Sequence, residues 1–142
     1  MAARRAQCST AVRTTYERPQ PDLGFNTPGT PQPKMVRVTR VNVRQDMLEQ
    51  FMATVKNELA PALKKAGQTS FLARRVEYGG SRNQFTFRSP LNKFSELDGD
   101  SPLIKALGKD GAAKLGAKLG SMGTSEWLIY TVVADLSFQA PQ

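Results

Sequence analysis

The stretch MVRVTRVNVRQDMLEQFMATV, Met35–Val55, changes its apolar period halfway along. Val36, Val38, Val41 and Val43 stand among polar residues in near alternation, the pattern of a half-buried strand. The apolar set shifts face between Val38 and Val41, which predicts a bulge or bend at Thr39–Arg40. Beyond Arg44 the period lengthens. Met47, Phe51, Val55, Leu59 and Leu63 recur every four residues, with Leu48 and Met52 beside them, as on the buried stripe of a helix. Asp46 and Glu49 have capping-box spacing at its start. Pro61 removes one backbone hydrogen bond, so a kink or break is expected near Leu59. Gly67, after Lys64 and Lys65, supplies a C-terminal stop with cations at the negative end of the helix dipole.

Outward from this unit the order of elements is legible. TSFLARRVEY and RNQFTFRS read as two strands of a hairpin across Gly79–Gly80. FSEL is a short helical segment. Ser101–Pro102 then opens a second long helix with a cap and a proline at its first position. Leu103, Leu107, Leu115, Leu119 and Met122 mark its buried side, with an interruption near Gly108–Gly111. EWLIYTVVADLSF, residues 126–138, is a β-branched and aromatic final strand. The order β-α-β-β-α-β predicts an α+β, ferredoxin-like fold: a four-stranded antiparallel sheet with both helices on one face. In the last strand Trp127, Ile129 and Val133 alternate with Leu128, Tyr130 and Val132, so both faces are apolar. A strand wetted on one side alternates more cleanly, and this implies a second copy of the sheet as partner.

Residues 1–33 form a separate region. Pro19, Pro21, Pro28, Pro31 and Pro33 cannot sustain a helix or a central strand, and the segment reads as a flexible, proline-rich head before a domain at 34–142. It also contains an echo of the chain's end: DLGFNTP, residues 22–28, against DLSFQAP, residues 135–141. Tyr16 and Tyr130 precede the two aspartates by six and five residues. The copies lie 113 positions apart, about one domain length, and the head is therefore read as the remnant of a preceding repeat. On that reading the cytoplasmic assignment, which follows from the lack of a signal peptide or apolar span, depends on what precedes the chain.

Composition removes whole classes of chemistry. The 142 residues include no histidine, which excludes histidine bases, triads, histidine metal sites and a proximal haem histidine. One cysteine, Cys8, permits no internal disulfide. The net charge is +8. Residues 1–34 contribute five cations against Glu17 and Asp22, and the rest is dispersed, as on an ordinary solvated surface. GAAKLGAKL, Gly111–Leu119, imitates a phosphate loop, but its lysine comes one residue late, Leu119 replaces Ser/Thr, and it lies inside a helix. Gly116 and Gly120 are expected instead to let that helix approach the sheet closely. Phe85 and Phe87 on the third strand are similar to the aromatic pair of an RNA-recognition motif, which shares this β-α-β-β-α-β order, but the basic-glycine-aromatic signature is missing and they read as core.

In VTRVNVRQDMLEQFMATV, LAPALKKAG, VEYGGSRNQFTF, FSEL, SPLIKALG and ADLSF the chain resembles the dimeric α+β barrel superfamily. Within it the likeness is to antibiotic-biosynthesis-monooxygenase-like and NIPSNAP-like domains, above all uncharacterised bacterial members, over nearly all of residues 35–138. The resemblance implies a homodimer in which two sheets close a barrel around a cleft. It constrains activity far less than fold, since members include monooxygenases, haem degraders, isomerases and proteins with no assigned reaction. Polar residues on the strands are the site candidates: Arg40, Asn42, Thr86 and Arg88 for ligand binding, with Trp127 or Tyr130 supplying a ring. Glu77 as base and Arg75 as anion stabiliser would serve catalysis. If they face away from the helices they line the cleft and suit a small anionic or carbonyl-bearing ligand; the alternative is that they form interface salt bridges between subunits. No cofactor and no metal are expected. The expected partners are a second copy and a small organic ligand, with nucleic acid disfavoured and no membrane. The primary reading is a ligand-binding or structural homodimer. A cofactor-independent monooxygenase-like enzyme and a basic nucleic-acid-binding module are the alternatives.

Overall fold

The computed structural model describes residues 11–133 and 135. It is an α+β domain with one antiparallel sheet and two helical segments packed on one face. Strands β1 (Tyr16–Pro19), β2 (Phe25–Asn26) and β3 (Met35–Val43) lead into helix α1 (Leu48–Thr54), which continues through a π turn (Val55–Leu59) into α2 (Ala60–Lys65). Then follow β4 (Ser70–Tyr78), β5 (Gln84–Leu91), α3 (Pro102–Met122) and β6 (Gly123–Thr131). The strand order is β1-β4-β5-β3-β6, with β2 also on the outer edge of β4. The sheet has six strands rather than four, and it is open rather than closed into a barrel.

The two additional strands come from the head. β1 pairs with residues 74–78 of β4 and β2 with Phe71 and Ser70. Leu23, between them, is 2% exposed and belongs to the core, and Phe25 packs on Phe71 with ring centroids 6.3 Å apart. Residues 16–26 are thus an integral edge of the sheet rather than a flexible tether. The prolines permit this because none falls where a ladder amide is required. Pro19 ends β1, and Pro21 opens the 3-10 turn Pro21–Leu23. β4 would otherwise offer a nine-residue open edge, a surface that invites misassociation. Cys8, and the tail beyond Val133 apart from Asp135, lie outside the described residues.

Three local expectations change. β3 carries no bulge, because its register is continuous against both β5 and β6. Val41 and Val43 enter the core under the helices, while Val36 and Val38 stand on the opposite face. The switch at Thr39–Arg40 reflects two part-apolar faces, not an inserted residue. Asp46 does not cap α1: it lies in a 3-10 turn and pairs with Arg44 at 2.7 Å. Pro61 is accommodated by the π turn, where the Ala60 amide reaches back to the Val55 carbonyl, and the helix axis continues.

The core lies between sheet and helices. Phe51, Val55 and Leu63 of the helical layer meet Phe71, Ala73, Phe85, Phe87, Val41 and Val43 of the strands, with Met122 closing one end. Phe71 and Phe87 stack at 5.2 Å, nearly parallel. α3 is capped by Ser101, whose hydroxyl accepts from the Ile104 amide. It kinks at Gly108, where φ is +74°, a conformation that favours glycine.

Candidate functional site

Cross-strand pairing assigns every strand residue to a face. Arg74, Thr86, Arg40 and Glu126 form one row on the face away from the helices, and Leu72, Arg88, Val38 and Leu128 form the next. Of the predicted ligand residues, Arg40, Thr86, Arg88 and Tyr130 therefore come together. They line an open basin of about 350 Å³ with Glu17, Val36 and Val38. Asn42 shares the face one row farther on, opposite Gln84 and Thr124. Trp127 does not join them. It pairs with Thr39 on the helix side and is 61% exposed at the sheet margin.

Arg75 and Glu77 fall on the helix-side face of β4, away from this basin. Arg75 donates through Nε to the Arg82 carbonyl at 2.7 Å and lies over the Phe85 ring, 5.5 Å from its centroid. Glu77 is ion-paired with Arg18 of β1 at 2.5 Å. These contacts pin β1 and the β4–β5 hairpin, and the ion pair is within one chain.

Within the basin the polar groups are unevenly satisfied. Thr86 donates its hydroxyl to Glu17 at 2.7 Å. Among the described residues Arg40 makes only long contacts, 3.4 Å to the Tyr130 hydroxyl and 3.5 Å to Glu126. Arg88 Nε is buried and has no acceptor among the described residues, an expensive state for a guanidinium N–H. Glu17 was invisible to sequence reasoning because it belongs to the head, whose strand pairing has no periodic signal in four residues.

A second cavity lies on the other side of the sheet, beneath α3. It measures about 390 Å³, and its walls include Phe51, Leu59, Leu63, Leu103 and Leu119. Thr39, Phe87 and Ser125 contribute to its strand side, and Arg37, Ser89 and Ser101 add further polar groups. Gly116 and Gly120 line it too. A Cβ built on either would meet no atom within 4 Å. Contrary to the expectation of close approach, they stand exposed at the open margin of the cavity. The close approach occurs instead at Gly123, where a Cβ would lie 2.3 Å from the Asn42 carbonyl oxygen.

Among the described residues no group of three or more His, Cys, Asp or Glu side chains is placed to hold a metal ion. No helix among them is long and apolar enough to cross a membrane. No protein-family profile, characterised protein or solved structure significantly matches the chain.

Proposed function

We propose that this protein binds a small, largely apolar ligand in the cavity beneath α3, on a ferredoxin-like domain that pairs with a second copy through its open sheet face. The cavity carries the reading. Its volume of about 390 Å³ is within the range of small-molecule pockets, and it has their usual make-up of apolar walls with few polar groups. A ligand with an apolar body and one polar or anionic end fits that chemistry, with Arg37 as the cationic group of the lining. Pairing through the open face is supported by a separate observation. Leu72, Leu128 and Tyr130 are 41%, 39% and 46% exposed there, apolar surface that a second sheet would cover.

The test is a fluorescence titration of the full chain with the neutral apolar dye N-phenyl-1-naphthylamine, followed by displacement with decanoate. Saturable 1:1 enhancement is expected, reversed by decanoate. Gly116→Leu should abolish it by placing a side chain at the cavity margin while circular dichroism stays unchanged. Undiminished binding by a folded Gly116→Leu protein, or no saturable binding by the wild type, overturns the reading.

A further inference from the structure

The open-face basin is chemically unlike the cavity beneath α3, and its charges do not balance. Arg40, Arg74 and Arg88 project from the two central rows of this face, with Glu17 and Glu126 as the neighbouring carboxylates. Glu17 already accepts from Thr86, and Glu126 sits 3.5 Å from Arg40. Among the described residues one guanidinium is in surplus, and Arg88 is the one with a buried Nε–H lacking an acceptor there. A buried donor of this kind calls for an acceptor that the described residues do not provide.

We infer that the basin is a second binding site, specific for the oxyanion of a small organic molecule. A carboxylate or phosphate group accepts from Arg88 and Arg40, the Tyr130 hydroxyl donates to it, and the apolar remainder lies over Val36 and Val38. Two planar guanidinium forks suit an oxyanion better than ammonium groups would, because each can donate two parallel hydrogen bonds. The apolar floor selects an organic anion over an inorganic one. Glu17 and Glu126 at the margins interrupt the positive surface, so it forms a compact site and not the continuous track that a nucleic-acid backbone needs. The site is on the opposite face from the α3 cavity and does not depend on ligand binding there.

Calorimetric titration of the full chain at low ionic strength tests this with benzoate, phenyl phosphate, inorganic phosphate and the neutral benzamide. Saturable binding of benzoate or phenyl phosphate is expected, the tighter of the two identifying the preferred oxyanion. Each should bind at least tenfold more tightly than benzamide or inorganic phosphate. Arg88→Met, which keeps an apolar stem, should weaken binding at least tenfold, and Arg88→Lys should not restore it. Arg40→Met gives an independent reading if Arg88→Met fails to fold. Gly116→Leu should leave the affinity unchanged. Equal binding of benzoate and benzamide overturns the inference. So does equal binding of phenyl phosphate and inorganic phosphate, or full affinity in folded Arg88→Met and Arg40→Met proteins.

Discussion

At the scale of single residues, the head shows why an echo in sequence need not be an equivalence in fit. Asp22, Leu23, Phe25 and Pro28 recur as Asp135, Leu136, Phe138 and Pro141, but Gly24 is matched by Ser137. A Cβ on Gly24 would lie 2.1 Å from the Phe71 carbonyl oxygen, a backbone contact that cannot yield. Gly24 has extended backbone, so it is required for space rather than for its φ. Gly24→Ser is therefore expected to unseat the head from β4, although it copies the residue at the matching tail position. Leu23→Ala should cost about 2–5 kcal/mol, the usual range for a buried leucine. Both are read by urea denaturation of the full chain. A cost below about 0.5 kcal/mol for Leu23→Ala, typical of surface positions, would return the head to the status of a tether.

At the scale of elements, what could be read from sequence and what could not divide on physical lines. The long elements announce themselves because burial imposes a period on them: the four-residue spacing from Met47 to Leu63, and the valines of Met35–Val43. The edge strands do not, since Tyr16–Pro19 and Phe25–Asn26 are too short to show a period and are specified by β4. The valine switch in β3 reads as a bulge because alternation cannot distinguish an inserted residue from a strand with two part-apolar faces. Five ligand candidates, Arg40, Asn42, Thr86, Arg88 and Tyr130, share a face because alternation is reliable within one strand, but the placement of Arg75 and Glu77 depends on which face meets the helices. The glycines of α3 are ambiguous for a similar reason, since glycine serves close approach and empty space alike. That ambiguity is testable. With nothing within 4 Å of a Cβ at position 116, Gly116→Ala adds no clash and gains helix propensity, about 1 kcal/mol. A rise in thermal midpoint is expected. A fall would mean that helix and sheet are in contact at this point after all.

At the scale of the whole molecule, the sheet separates two environments, an apolar cavity beneath the helices and a cationic basin on the open face. The proposed pairing of two copies must reconcile the exposed leucines with the surplus charge. Packed sheets stand about 10 Å apart, so face-to-face pairing brings the surplus guanidinium of each copy into one desolvated layer. Unpaired charges there are strongly unfavourable. An oxyanion bound in each basin removes that penalty, and binding and association become linked through their common dependence on Arg88 and Arg40. Self-association should therefore tighten by at least threefold when saturating benzoate or phenyl phosphate is present, as measured by sedimentation equilibrium at low ionic strength. Arg88→Met, which deletes the surplus charge, should associate as tightly without the anion as the wild type does with it. Leu128→Glu should abolish association in both conditions by placing a carboxylate in the apolar row. A chain that stays monomeric throughout while still binding the anion would remove the pairing and leave the basin site standing. A dimer indifferent to anions would place its interface on some other surface.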